Sequence, residues 1–237
     1  MISFVIPAHN EEAFLGPTLD ALTVAALKIG IDHEVIVVND ASTDGTAAVA
    51  TQRGIRVIDV QHRHIAATRN SGGQAANGEI VVFLDADTRI DHLALQAIVE
   101  AMDRGAVGGG FHFRYDCKLP WWARILLPLG NTIGRWTTIT GGACLFAKRS
   151  VFREMGGFCE KIFAAEDVEF VSSLKRHGRF VIPKPLVVTS ARKIRFLTSV
   201  TAMRLLFRLA IFGPRSFTSR EGLGCWYGAE AQQSRRL

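Results

Sequence analysis

Residues 80–87 have the sequence Ile-Val-Val-Phe-Leu-Asp-Ala-Asp, in which five apolar residues run into two aspartates separated by one alanine. A continuous apolar run of this length predicts a strand that is buried on both faces. Since side chains two positions apart in extended backbone project to the same side, Asp85 and Asp87 are expected to lie together where the strand ends. In open α/β sheets, ligands bind at this end of the strands.

The two aspartates favour a site for a hard cation. Adjacent carboxylates repel each other, so the pair is costly unless something cationic joins it. A divalent ion such as Mg²⁺ takes oxygen ligands and fills its other positions with phosphate and water. The alternative interpretation is a pair of solvated turn residues that cap the helix predicted to begin near His92.

Strands and helices alternate around this stretch. Strands are predicted at 3–6, 33–38, 55–59 and 80–84, with a helix after each, and Pro7 is expected to end the first strand. This alternation predicts an α/β fold with a mixed, mostly parallel sheet and flanking helices. Neither G-x-G-x-x-G after the first strand nor G-x-x-x-x-G-K-[ST] occurs, which disfavours dinucleotide dehydrogenases and P-loop ATPases.

The pattern changes after residue 105. Residues 110–115 alternate and predict an antiparallel strand, whereas 119–136 predict a helix that is buried or lies on a membrane surface. Residues 179–188 predict an extended edge segment, and 194–211 predict an amphipathic helix with basic residues on one face. The alternation over residues 1–105 is typical of a nucleotide-binding α/β unit. A basic amphipathic C-terminal extension (191–237) is expected to pack on the domain that precedes it.

Composition limits the class of protein. The chain has 237 residues, of which 48% are hydrophobic and 21% charged, as in ordinary globular proteins. A net charge of +6 suggests an anionic partner, but nucleic acid is disfavoured because the aromatic residues cluster in apolar stretches. Four cysteines without C-x-x-C spacing disfavour a zinc or redox site. With no leader pattern and no apolar run of about 20 residues, we expect a cytoplasmic protein that can dock on the inner membrane face.

Polar groups follow three predicted parallel strands, at Pro7–Glu11, Asn39–Asp40 and Asp85–Asp87. In a doubly wound sheet these ends converge on one crevice. Asp40 is placed to accept hydrogen bonds from a base or ribose. Arg69 is expected to approach the same ligand, unless it forms only a surface salt bridge.

A second acidic centre, Glu166-Asp167, precedes a predicted helix. One interpretation is that the helix dipole favours carboxylates there. The other is a general base that takes the proton from an attacking hydroxyl.

Five ordered segments carry a resemblance to a known family. Residues 6–12, 38–46, 69–72, 85–88 and 166–170 together resemble the motifs of family 2 glycosyltransferases with the GT-A fold, especially small bacterial members. The resemblance covers roughly residues 1–190, and it implies a GT-A domain there, with a nucleotide-binding half (1–105) and an acceptor half (106–190). It implies an inverting transferase that uses a nucleotide-diphosphate sugar and Mg²⁺ or Mn²⁺.

The resemblance also implies residue roles. Pro7, Ala8 and Glu11 are expected to line the nucleoside pocket, Asp40 to contact the base, Arg69 to assist the nucleotide, Asp85 to contact the ribose or sugar, and Asp87 to hold the metal. Asp167 is expected to be the catalytic base, with Glu166 beside it binding substrate. Residues 189–192 resemble a segment of small bacterial members in which the arginine, here Arg192, meets the diphosphate.

The sequence leaves open the kind of acceptor and the class of protein. A hydroxyl acceptor needs a base, whereas a phosphate acceptor such as a polyprenyl phosphate needs none, and Asp167 would then orient it. A sugar nucleotidyltransferase is an alternative, although it would carry a Gly- and Arg-rich loop where residues 7–11 have neither. A non-catalytic nucleotide-sugar binding module is another, although every expected acidic position is filled.

Overall fold

The computed structural model describes residues 1–117, 140–192 and 199–219, with isolated positions 124, 128, 131, 132, 134, 138 and 223. The helix predicted over 119–136 therefore lies almost wholly outside the described residues. Within the described part of the chain, no helix is long and apolar enough to span a bilayer.

In the described residues, ten strands form two sheets. In chain order they are β1 Ile2–Ala8, β2 His33–Asp40, β3 Arg56–Val60, β4 Ile80–Leu84, β5 Thr88–Arg89, β6 Gly108–Gly110, β7 Phe113–Tyr115, β8 Cys144–Lys148, β9 Phe180–Val181 and β10 Val187–Thr189. Seven of them form a sheet in the order β3-β2-β1-β4-β8-β6-β9, and the others form a small sheet in the order β5-β10-β7. Strands β1 to β4 pair in parallel and β8 is antiparallel to β4 and β6, which confirms the predicted mixed, mostly parallel sheet.

Helices cover both faces of the large sheet. The helices of the described residues are α1 Glu12–Ile29, α2 Thr46–Thr51, α3 Ile65–Ala75, α4 His92–Asp103, α5 Arg149–Glu154, α6 Glu166–His177 and α7 Ser199–Phe212, followed by a 3₁₀ turn at Pro214–Ser216. Strand β4 shows why its run is wholly apolar. Val82 and Leu84 pack in the core with α1 and α4, whereas Val81 and Phe83 pack in the core with α3, α5 and α6.

Two predicted strands differ from the observed ones. Pro7 does not end β1, which continues to Ala8. Its ladder with β4 stops at Val5, so position 7 pairs only with β2, and a residue without an N–H is tolerated there. The strand predicted over 110–115 is in fact two short strands in different sheets, because the chain leaves the ladder with β8 after Gly110.

The C-terminal part of the described chain packs beside the segment that leads into α6. Phe217 and Leu223 are buried against Ile162, and the Phe163 backbone N–H donates to the Phe217 carbonyl at 2.8 Å. The predicted division into a main domain and an extension stays a prediction.

Candidate active site

The three polar strand ends lie along one edge of the large sheet, where Asp85 and Asp87 bind different arginines. The strand ends at Leu84, and the Thr88 N–H donates to the Asp85 carbonyl at 3.0 Å, which closes a turn. The pair therefore lies in a turn beyond the strand, and not in the extended backbone that the sequence predicts. Asp85 binds Arg69, and Asp87 binds Arg192. Neither caps α4, whose N-cap is Asp91.

Arg69 joins the two acidic centres. From α3, its Nη2 lies 2.9 Å from Asp85 Oδ1 and its Nη1 lies 2.7 Å from Glu166 Oε1. The residue is only 3% exposed, so it is not a surface salt bridge. Burial works against its charge, but the neighbouring carboxylates of Asp85, Glu166 and Asp167 outweigh burial and raise its pKa. A planar guanidinium suits this position because it can serve two carboxylates at once.

Asn70 anchors the segment that leads to the second acidic centre. Its amide nitrogen donates to the Phe158 carbonyl at 2.9 Å and to Glu160 Oε1 at 2.8 Å, while its oxygen accepts from the Phe158 N–H at 2.8 Å. The Phe158 ring lies 5.2 Å from Arg69 Cζ. Neighbouring residues of α3 thus hold both the arginine and the segment that approaches α6.

Asp167 lies in the first turn of α6, after Ala165, which adopts φ +61°. Burial and the charge of Glu166 raise the pKa of Asp167 to about 7, although Arg69 and the Val168 N–H act in the opposite direction. Gly142 lies against it, and a Cβ there would be 3.0 Å from Asp167 Cβ. A carboxylate with a pKa near neutrality is suited to take up a proton.

Arg192 joins Glu11 to Asp87. Its Nη2 lies 2.6 Å from Glu11 Oε1 and 2.9 Å from Asp87 Oδ2, and its Nε donates to the same Asp87 oxygen at 3.1 Å. Burial opposes its charge, but Glu11 and Asp87 raise its pKa. The structure thus brings a residue of the predicted C-terminal extension into contact with the first helix and with the turn after β4.

The Asp40 carboxylate is held by three protein donors. It accepts from the Arg63 N–H at 2.8 Å, the His64 N–H at 3.1 Å and Thr68 Oγ1 at 2.8 Å. It therefore holds the turn before α3, and a base contact would have to share one of its oxygens. Pro7 and Ala8 are buried at the end of β1, where Ala8 pairs with Asn39, next to Asp40. That Pro7, Ala8 and Asp40 recognise the nucleoside stays a prediction.

The residues fit a divalent cation only in part. Glu11 and Asp87 each have an oxygen within hydrogen-bonding distance of the same Arg192 nitrogen, so their carboxylates lie close together. Hard cations take such oxygens. However, no three His, Cys, Asp or Glu side chains converge as a metal site anywhere in the described ranges. Mg²⁺ in particular is commonly held by one or two carboxylates together with substrate phosphates, and this donor set fits that mode.

Three contacts of the site were not predicted from the sequence. Phe14 stacks on Arg192, Asp116 accepts a hydrogen bond from the Ala191 N–H, and Asn70 binds the 158–160 segment. Asn70 had a signal, since it follows Arg69 in the motif. Phe14 and Asp116 had none, because their partners lie far away in the chain.

Comparison with known proteins identifies the relatives of this chain. A family model described as "Glycosyl transferase family 2" matches residues 3–156. The undecaprenyl-phosphate 4-deoxy-4-formamido-L-arabinose transferase of Edwardsiella ictaluri is 32% identical over 148 residues, which are 58% of this chain and 44% of that protein. The chain thus spans less than half the length of this curated relative.

Two solved structures share the fold. The mannosyltransferase PcManGT from Pyrobaculum calidifontis, in complex with GDP-Man and Mn²⁺, superposes with a TM-score of 0.69 at 20% identity, over 98% of this chain and 73% of that one. Glucosyl-3-phosphoglycerate synthase from Mycobacterium tuberculosis, in complex with Mn²⁺, UDP and glucosyl-3-phosphoglycerate, gives 0.61 at 18% identity, over 92% and 80%. These likenesses show the GT-A fold, as predicted.

Proposed function

Because its match to the family model spans most of its length, the chain belongs to glycosyl transferase family 2, and we propose that it is an inverting glycosyltransferase. It moves a sugar from a nucleotide-diphosphate sugar to an acceptor. The observation that carries the proposal is the pair of buried arginines, Arg69 and Arg192, which gather Glu11, Asp85, Asp87 and Glu166 at one sheet edge.

The donor lies along the carboxyl ends of β1, β2 and β4. Pro7, Ala8 and Glu11 line the nucleoside pocket, and Asp40 contacts the nucleobase. Asp85 contacts the ribose or sugar, with Arg69 beside it, and Arg192 meets the diphosphate. Asp87 holds Mg²⁺ or Mn²⁺, which, when bound, supplies positive charge to the leaving diphosphate. The ions and nucleotides in the structures of the two fold relatives support this choice of donor and cofactor.

Asp167 acts as the base for a hydroxyl acceptor. It takes the hydroxyl proton as the acceptor oxygen forms a bond to the anomeric carbon, and the bond from that carbon to the diphosphate breaks with its electron pair leaving on the nucleotide. Attack from the face opposite the leaving group inverts the anomeric centre. A pKa of about 7 supports this role, because the carboxylate is then a stronger base than an ordinary aspartate and is still substantially ionised at neutral pH.

A lipid phosphate is the second acceptor class that we propose. It is supported by the Edwardsiella relative, which is an undecaprenyl-phosphate sugar transferase. Such an acceptor is already an anion, so Asp167 and Glu166 would orient it and abstract no proton. On α7, Phe207, Ile211 and Phe212 are exposed, as is Arg204. Apolar and basic side chains on one helix suit an anionic membrane surface, so we propose peripheral docking there.

Vesicle co-sedimentation tests the docking. Binding to vesicles of anionic phospholipid and not to zwitterionic ones is expected, with a loss in Phe207→Glu. Leu27→Glu, which alters an equally exposed leucine of α1, is the control. Equal sedimentation with both kinds of vesicle would rule out the charge-dependent contact. A cytoplasmic location stays a prediction.

The central experiment is a thermal-shift screen of UDP-, GDP- and dTDP-sugars with and without Mn²⁺, followed by NMR of the product. A metal-dependent shift with one donor and a product of inverted anomeric configuration are expected. Binding without turnover on any hydroxyl or lipid-phosphate acceptor would instead favour a binding module. Formation of a nucleotide sugar from a sugar phosphate and a nucleoside triphosphate would favour a nucleotidyltransferase.

A further inference from the structure

Arg192 uses only part of its hydrogen-bonding capacity. Its Nε and Nη2 bind Asp87 and Glu11, whereas Nη1 is buried and has no hydrogen-bond partner in the described part of the chain. The residue is 6% exposed, so water has little access to this nitrogen. An unpartnered buried donor is costly, and such a group is accounted for when a ligand atom completes it.

The rest of Arg192 is held from three directions. The two residues before it fix its backbone. The Ala191 N–H donates to Asp116 Oδ1 at 3.1 Å, and the Ser190 N–H donates to the Asp87 carbonyl at 3.2 Å. One edge of the guanidinium is bound by the carboxylates. One face lies over the Phe14 ring, with Cζ 4.2 Å from the ring centroid.

The Phe14 contact differs from the others because it restricts the tilt of the guanidinium plane. The carboxylates bind two nitrogens of one edge and would allow the group to rock about that edge. A ring stacked on the face removes this freedom and adds a cation–π attraction. The plane of the guanidinium, and with it the direction of Nη1, is therefore set by an aromatic residue of α1.

We propose that Phe14 is a positioning residue for the donor diphosphate, because it holds Arg192 so that Nη1 meets a phosphate oxygen. This inference rests on the proposed function, in which Arg192 contacts the diphosphate. It assigns to the first turn of α1 a role in phosphate recognition that is separate from nucleoside binding by the preceding loop.

The test uses titration calorimetry of the full chain with UDP, GDP and dTDP and with the matching nucleosides, in the presence of Mn²⁺. Phe14→Leu is expected to weaken the binding of the accepted diphosphate by about 5- to 30-fold, the range of a partly buried cation–π contact, without weakening nucleoside binding. Phe14→Tyr keeps the ring and is expected to restore wild-type affinity. Leu27→Ala, on the same helix but 74% exposed, is the control.

The outcomes separate the two proposals. Wild-type affinity for the diphosphate in Phe14→Leu, or an equal loss for diphosphate and nucleoside, overturns the role of Phe14. If Phe14→Leu does not fold, as judged by its thermal unfolding curve, Phe14→Met replaces it as a variant without a ring. Failure of the wild type to bind any of the three diphosphates overturns the proposed function, and this inference with it.

Discussion

Asp87 and Arg192 lie 105 residues apart in the chain and form a buried ion pair, in which Asp87 Oδ2 accepts from Arg192 Nε at 3.1 Å. The aspartate comes from the turn after the central strand, and the arginine follows β10 of the small sheet. The small sheet makes the pair possible, since β10 lies between β5 and β7 and its Thr189 pairs with Thr88 beside Asp87. A cation that binds Asp87 therefore has to share or displace an arginine already in place.

Asp87→Asn is expected to remove the effect of Mn²⁺ on nucleotide binding. The amide lacks the charge that holds a hard cation. We therefore expect the factor by which Mn²⁺ increases nucleotide affinity to fall by about 10- to 100-fold. Asparagine can still accept from Arg192, so the fold is retained. Calorimetry of the accepted nucleotide with and without Mn²⁺ measures the change. Glu100→Gln, an exposed carboxylate on α4, is the control, and an unchanged Mn²⁺ effect in Asp87→Asn would refute the metal assignment.

Asp167→Asn is expected to retain donor binding and lose transfer to a hydroxyl acceptor. General-base catalysis typically contributes 10²- to 10⁴-fold, so kcat should fall by about that factor. In the wild type, kcat/KM should rise with pH through the pKa of about 7, because only the carboxylate accepts a proton. Initial rates over a series of pH values measure both the fall in kcat and the rise of kcat/KM with pH. Equal kcat values for variant and wild type would exclude Asp167 as the base.

The same substitution should stabilise the protein at high pH. The pKa of Asp167 is about 7 in the folded chain and 3.8 ordinarily, so the folded state binds more protons between these values and loses stability as pH rises through them. Asp167→Asn removes this penalty. Allowing for its partial solvent access, we expect a gain of about 1–2 kcal/mol at pH 8 and little change at pH 4.

Urea unfolding at the two pH values measures the gain. Asp20→Asn is the contrast, because Arg53 lowers the pKa of that exposed carboxyl, and its loss should not stabilise the protein at pH 8. A gain for Asp167→Asn that is equal at both pH values would contradict the raised pKa.

In Glu166→Gln, the fall of kcat/KM on the acid side of its pH profile is expected to occur at lower pH than in the wild type. The Glu166 charge is the second cause of the raised Asp167 pKa, after burial. Its removal should lower that pKa, since a neighbouring like charge disfavours ionisation. The pH dependence of kcat/KM measures where this fall occurs. Glu169→Gln, one turn further along α6, should leave it in place, and a fall that moves to higher pH would be inconsistent with the assigned cause.

Arg69→Lys is expected to destabilise the fold although the charge is kept. A single ammonium cannot replace two bonds made by separate nitrogens to Asp85 and Glu166, so we expect a loss of about 2–4 kcal/mol in the free energy of unfolding. Arg53→Lys, in an exposed pair with Asp20, is the matched control and should change stability by less than about 1 kcal/mol. Similar losses in the two variants would mean that Arg69 acts only as a surface charge.

Much of the fold could be predicted from periodicity. The run at 80–84 becomes a central strand because each of its side chains is apolar, and the two faces of the sheet bury all of them except Ile80, which is half-buried. The family motifs also placed Arg69, Asp167 and Arg192 among the candidates. Pro7 was misjudged because its effect depends on whether a neighbouring strand still pairs at that position, which is a property of the sheet and is not readable from the proline.

The partners of the charged residues were decided by tertiary structure alone. The local pattern Asp-Ala-Asp suggests two carboxylates that share one ion, yet two arginines, one from α3 and one from the segment after β10, bind one carboxylate each. Sequence determines which groups lie at the strand ends, because hydrophobic periodicity sets where strands stop. It does not determine which charges meet there, since ion pairs depend on the packing of α3, α6 and β10 against the sheet. Residues 80–87 therefore specified the central strand, and the packed fold specified what its aspartates contact.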